Sequence, residues 1–99
     1  AGGNDLMRGG DGNDVMRGQI GDDTMEGGPG RDSLGGDSGQ DRMEAQDGAD
    51  SLFGGSGRDT LLGGNDNDTL DGGTENDSLE GGVGADSLLG GDANDTLLG

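Results

Sequence analysis

Residues 54–64 read GGSGRDTLLGG: a glycine pair, a third glycine at 57, an aspartate at 59, then Thr60-Leu61-Leu62 before the next pair. Alone the stretch looks like a linker with a scrap of strand, but with its neighbours it is one period of a repeat. An aspartate stands at every ninth position, at Asp5, Asp14, Asp23, Asp32, Asp41, Asp50, Asp59, Asp68, Asp77, Asp86 and Asp95. Two residues after each comes an aliphatic side chain: Met7, Met16, Met25, Leu34, Met43, Leu52, Leu61, Leu70, Leu79, Leu88 and Leu97. Four residues after each aspartate a small residue opens the next unit, glycine in ten cases and Ala45 in the other. The consensus is G-G-x-G-x-D-x-L-x, and no insertion or deletion breaks it over 99 residues. Short fixed periods of this kind mark solenoids.

The two halves of the unit read differently. Glycine at the first, second and fourth positions permits left-handed backbone, and so a turn able to wrap its own carbonyls around an ion. The x-Leu-x segment alternates out, in, out, as a half-buried strand does. Its outward seventh position is Ser or Thr in eight units (Thr24, Ser33, Ser51, Thr60, Thr69, Ser78, Ser87, Thr96), which suits a solvated sheet face. The four methionines are all inward and fill the core; Phe53, Leu62, Leu89 and Leu98 at the ninth position face outward.

Composition excludes more than it assigns. With 24% hydrophobic residues, one aromatic (Phe53), 27 glycines and a formal charge of -17, the chain would pass for an acidic disordered segment were it not periodic. Collagen is excluded, since the glycines keep no three-residue period and Pro29 is the sole proline. Histidine, cysteine, lysine, tyrosine and tryptophan are all missing, which removes imidazole and thiolate ligands and most nucleophiles and general bases. No enzymatic role is therefore expected. Five arginines against 22 acids argue against nucleic acid or an anionic membrane as partner. No signal peptide or membrane-length apolar run is visible, and the chain opens in mid-repeat without methionine, so it is expected to be an excerpt of something longer. Asp66-Asn67-Asp68 imitates the start of an EF-hand loop, yet Leu70 sits where a third oxygen ligand belongs.

Eleven aspartates in one register make the chain resemble, over its whole length, the RTX (repeats-in-toxin, haemolysin-type) calcium-binding nonapeptide repeat family. The resemblance implies an all-β parallel β-roll, a right-handed β-helix forming a single domain over residues 1–99. Each nonapeptide would make a turn from first glycine to aspartate and then a short strand, two completing an 18-residue coil. At about 4.8 Å per coil the rod would be roughly 26 Å long. Units 18 residues apart then stack their aspartates in two columns: Asp5, Asp23, Asp41, Asp59, Asp77 and Asp95 on one edge, Asp14, Asp32, Asp50, Asp68 and Asp86 on the other.

Bare, each column is a ladder of like charges. One ion between each stacked pair gives five sites and four, at most nine Ca2+, whose +18 offsets the chain's -17. Carboxylate and carbonyl oxygen select calcium over zinc or copper, and a flexible glycine turn suits it better than octahedral magnesium. In the family the aspartate carboxylate bridges neighbouring ions while alternate turn carbonyls complete the shell. That role carries over to all eleven aspartates, and through their carbonyls to Gly10, Gly12, Gly28, Gly30, Gly55, Gly57, Gly82 and Gly84. Departures fall at the second position (Gln19, Asp37, Gln46), the first (Ala45) and the fourth (Asp66, Glu75, Ala93); the Ala45-Gln46 turn, lacking both leading glycines, weakens the sites of Asp50.

With so few inward aliphatics the apo chain is expected not to fold, so calcium would act as the folding switch. The resemblance implies a structural module of a secreted bacterial protein, unfolded in calcium-poor cytoplasm, exported by a type I system and folded outside the cell. The alternative is a building unit of an extracellular filament or surface layer, in which self-association or flanking domains cover the ends. The third position (Gly2, Asp11, Ile20, Pro29, Ser38, Asp47, Ser56, Asn65, Thr74, Val83, Asp92) forms no regular column of the kind some relatives use to bind ice.

Overall fold

The structure, a computed structural model, describes residues 2–99. It has eleven strands: β1 (Leu6–Arg8), β2 (Val15–Ile20), β3 (Thr24–Glu26), β4 (Ser33–Ser38), β5 (Arg42–Asp47), β6 (Ser51–Ser56), β7 (Thr60–Asn65), β8 (Thr69–Thr74), β9 (Ser78–Val83), β10 (Ser87–Gly91) and β11 (Thr96–Leu98). Odd strands build one sheet, β1-β3-β5-β7-β9-β11, and even strands the other, β2-β4-β6-β8-β10. Neighbours within each sheet run parallel and pair residues 18 apart, Leu34 with Leu52 and Leu61 with Leu79 among them. The chain thus winds as a β-solenoid of about five coils with principal extents of 28 × 26 × 12 Å, the β-roll that the resemblance implies. Among the described residues no helix is long and apolar enough to cross a membrane.

The inward aliphatics meet between the sheets. Met25, Leu34, Met43, Leu52, Leu61, Leu70 and Leu79 are buried together with Ala45, and Met7, Met16 and Leu88 pack against them half-buried. Leu97 is inward in register but 45% exposed, β11 being the edge strand of its sheet among the described residues.

The strands correct one expectation. Between β4 and β9 each runs six residues, from the seventh position through the third of the next unit, instead of three. The first-position glycines are extended, with none at positive φ, and lie on the inward side one step beyond the aliphatic. Glycine leaves room there: a Cβ on Gly54, Gly63 or Gly72 would strike the Oδ2 of Asp59, Asp68 or Asp77 in the same unit, and only the Ala45 unit holds a methyl at this position. The left-handed turn proper is confined to the second and fourth positions.

Among the described residues, all six that replace glycine at those two positions keep positive φ: Gln19, Asp37, Gln46, Asp66, Glu75 and Ala93, at 73–85°. Fourth-position glycines open wider, Gly30 to 129° and Gly39 to 128°. The narrower angle has a cause and a cost. A Cβ at the wide angle would collide with the fourth-position carbonyl of the coil below, as it would at Gly39 against Gly21. The peptide therefore rotates, and an inter-coil hydrogen bond goes with it. Gly3, Gly12, Gly21, Gly30 and Gly39 donate their N–H to the third-position carbonyls of Ile20, Pro29, Ser38, Asp47 and Ser56 at 2.9–3.1 Å. At the junctions 48/66, 57/75, 66/84 and 75/93, where one or both fourth positions carry a side chain, that bond is absent among the described residues.

Candidate metal centre

The turns deliver the aspartates to the two rod edges in the expected columns, and the geometry of each step is the same. The Asp backbone N–H donates to Oδ1 of the aspartate one coil above: Asp5 to Asp23, Asp23 to Asp41, Asp41 to Asp59, Asp59 to Asp77 and Asp77 to Asp95 on one edge, at 2.7–2.8 Å. On the other edge Asp14 donates to Asp32, Asp32 to Asp50, Asp50 to Asp68 and Asp68 to Asp86, at 2.7–2.9 Å. Asp23, Asp32, Asp41, Asp50, Asp59, Asp68 and Asp77 are 1–3% exposed.

One oxygen of each carboxylate is thereby held, and the other is not. Oδ2 of Asp14, Asp23, Asp32, Asp41, Asp50, Asp59, Asp68, Asp77 and Asp86 is buried with no hydrogen-bond partner. Buried carboxylate oxygens in proteins are paired, protonated or bound to a cation. No arginine supplies the charge: the one ion pair among the described residues joins Arg8 Nε to Glu26 Oε2 at 3.1 Å, away from both columns. Burial accordingly raises the pKa of Asp41, Asp50 and Asp77 above the ordinary 3.8. It pushes Asp59 and Asp68 up to about 6, opposed by the hydrogen bond from the backbone of the aspartate below and reinforced by neighbouring carboxylates.

Side chains alone do not complete a cage, since among the described residues no group of three acidic side chains converges. The remaining donors are main-chain. Of the eight glycines singled out for their carbonyls, Gly10, Gly12 and Gly55 aim theirs along the rod at the glycine of the coil above, where a Cβ on Gly28, Gly30 or Gly73 would strike it. Gly30 aims at Gly48 in the same way, as do Gly21 at Gly39 and Gly39 at Gly57, which extends the run beyond the glycines singled out. The Gly28, Gly57, Gly82 and Gly84 turns share the positive φ of this conformation. The donor set is hard oxygen, anionic and neutral, in a backbone that closes on itself every 18 residues, which fits calcium.

A second ladder escaped the sequence reading. Oδ1 of the fifth-position residues Asn4, Asn13, Asp22, Asn67 and Asn76 accepts the N–H of the fifth-position residue one coil on, at 2.8–2.9 Å. It lies on the exposed side of the turns and caps backbone donors. The Asn or Asp one residue before Asp5, Asp14, Asp23, Asp68, Asp77 and Asp95 was its signal.

No curated protein and no solved structure matches the chain. A family model does: that of the RTX calcium-binding nonapeptide repeat (4 copies) matches three successive segments, residues 1–34, 35–70 and 71–99, leaving no part of the sequence uncovered. With parallel coils of 18 residues and two columns of buried aspartate already in place, the match shows that this chain belongs to the RTX calcium-binding repeat family.

Proposed function

We propose that this roll is a calcium-folded structural module of a secreted bacterial protein. The observation that carries the reading is the set of nine buried, partnerless Oδ2 atoms ranked along two edges. As a bare anion ladder the folded state is penalised at neutral pH; with divalent cations between coils the same oxygens become ligands. Asp5, Asp14, Asp23, Asp32, Asp41, Asp50, Asp59, Asp68, Asp77, Asp86 and Asp95 supply the carboxylates. The carbonyls of Gly10, Gly12, Gly28, Gly30, Gly55, Gly57, Gly82 and Gly84 complete the shells, with up to nine ions in all. Extracellular modules bind calcium at about 10⁻⁴–10⁻³ M, so a chain unfolded in the cytoplasm would fold after export.

Far-UV circular dichroism during a calcium titration, with magnesium as control, tests this. A cooperative coil-to-β transition near millimolar calcium, absent with magnesium, is expected; a signal insensitive to calcium overturns it. The filament reading draws on outward apolar side chains along the rod, Phe53 and Leu89, which are 48% and 60% accessible. Calcium-dependent fibres in sedimentation would favour it over an isolated module.

A further inference from the structure

We propose that the outer face of the five-stranded sheet binds a second copy of this chain, Phe53 of each roll seating in the notch over the partner's Gly35. The pairing belongs to the folded roll, so it rests on the calcium reading above and goes beyond it by closing two rolls into a dimer. Across this face the ninth-position residues run from β2 to β10 as Arg17, Gly35, Phe53, Asp71 and Leu89, each in register with the next. All lie on the outward side, one residue beyond the inward aliphatics. Gly35 is the one glycine at the ninth position of the eleven units, and nothing within the roll asks for it. Its backbone is strand without positive φ, and a Cβ there would meet only Arg17 Cγ, at 4.0 Å. Glycine inside a strand weakens it and often marks the close approach of another molecule. The space it leaves is a notch of about 140 Å³, with Gly35 between Arg17 and Phe53, close to the ~150 Å³ that accommodates a benzene ring.

A second copy fits because the pattern is self-complementary. A two-fold axis parallel to the strands and midway between β4 and β6 exchanges those two strands, and exchanges β2 with β8. Phe53 then falls on the partner's Gly35 and Arg17 on the partner's Asp71, so one operation matches shape and charge together, each contact occurring twice, as an isologous interface requires. The two phenyl rings lie side by side at the axis, within reach of an aromatic pair. Neither Arg17 nor Asp71 has an ion pair in its own roll among the described residues, and three strands, about 14 Å, separate them there. Asp37, the acid beside the notch, faces the partner's Gly55, so no like charges are opposed. The other sheet has no counterpart: its ninth positions are Arg8, Glu26, Glu44, Leu62, Glu80 and Leu98, without a glycine, and Arg8 is already paired with Glu26. Overlap of four strands along a face 28 Å wide covers a flat footprint on the order of 500 Å² per partner, the size of a weak, concentration-dependent dimer.

Sedimentation velocity in saturating calcium, from about 10 µM to about 1 mM chain, tests this, with circular dichroism reporting the calcium midpoint for folding. Wild type should show a monomer–dimer equilibrium and no larger species. Arg17→Asp and Asp71→Arg each oppose like charges twice in the dimer and should weaken it about tenfold or more. The double variant Arg17→Asp/Asp71→Arg restores both pairs with sign reversed, and its association should return to within about threefold of wild type. Gly35→Leu, for which the roll itself has room, should keep the calcium midpoint and lose the dimer. Monomer at every concentration, species larger than a dimer, or a double variant no better than either single one overturns the proposal while the calcium reading stands. A wild-type chain that stays unfolded in calcium takes both down, and circular dichroism shows that before any variant is made.

Discussion

Gln19, Gln46 and Ala93 hold φ of 78°, 85° and 80° at positions where most units have glycine. Left-handed backbone costs an L-residue roughly 1–2 kcal/mol, whereas glycine surrenders about 0.5–1 kcal/mol more chain entropy on folding. The balance favours glycine by about 0.5–1 kcal/mol per site. The three residues lie in different coils and their effects should add, so the triple variant Gln19→Gly/Gln46→Gly/Ala93→Gly should gain roughly 1.5–3 kcal/mol. The weak Gln46 Nε2 to Glu26 Oε1 contact, 3.3 Å and partly exposed, takes little back. Urea unfolding in saturating calcium, followed by circular dichroism, reads this as a midpoint about 1 M higher for a slope near 2 kcal/mol per M. Gln40→Gly is the control: Gln40 is not left-handed, so the substitution should lower the midpoint. A triple variant no more stable than wild type would mean these turns are unstrained, and would refute the account of why the repeat prefers glycine at its second and fourth positions.

Other consequences can be checked separately. Asp59→Ala removes the oxygen that accepts the Asp41 N–H and the orphaned Oδ2 between two neighbouring coils; the calcium midpoint should rise several-fold through loss of a ligand shared by two sites, and an unchanged midpoint would count against sharing. In calcium-free buffer, Asp59 and Asp68 have folded pKa values of about 6 against an ordinary 3.8. Because the folded value is the higher, their contribution to stability is complete below about pH 4 and is lost as pH rises through about 6. Residual β signal without calcium should therefore be strongest in acid, and a pH-independent apo spectrum would contradict this. Gly63→Ala places a methyl against Asp68 Oδ2 and 2.7 Å from the Gly81 carbonyl oxygen, so it should destabilise the loaded roll by about 1–3 kcal/mol, read by the same urea assay. In hydrogen exchange the amides of Gly30 and Gly39, bonded to Asp47 and Ser56, should outlast that of Gly57, whose inter-coil bond is missing; equal protection would remove the distinction drawn between glycine and non-glycine junctions.

The period carried most of the fold. An aspartate and an aliphatic that never leave register fix the nine-residue unit and the core, while the 18-residue pairing and the two columns came with the family resemblance. What it did not carry came from residues whose conformation depends on neighbours a coil away. Gly54 and Gly63 look like turn residues because glycine is depleted in strands; they are extended inside β6 and β7, kept bare by the aspartate carboxylate folded over them. Six-residue strands were hidden by that composition. The bond lost at Glu75 or Ala93 is likewise unreadable from one unit, since it depends on the carbonyl of the coil below. The ligand chemistry was legible in residue type, but the split in each carboxylate, Oδ1 held and Oδ2 orphaned, needed coordinates.

Pairing between residues 18 apart also sets the grain in which such a gene can change length. Each coil touches only the one above and the one below, so excising 18 residues removes a rung of about 4.8 Å and rejoins equivalent surfaces. Excising nine keeps the consensus intact but sends every later unit to the opposite edge, so that Asp66 and the turn of Ala45 would come to serve different columns. A nine-residue unit is thus the currency of duplication, and an 18-residue one the smallest step that preserves which irregularities face each other. Units with odd residues at their turns should accordingly be inherited in pairs, while the regular ones are free to be counted singly.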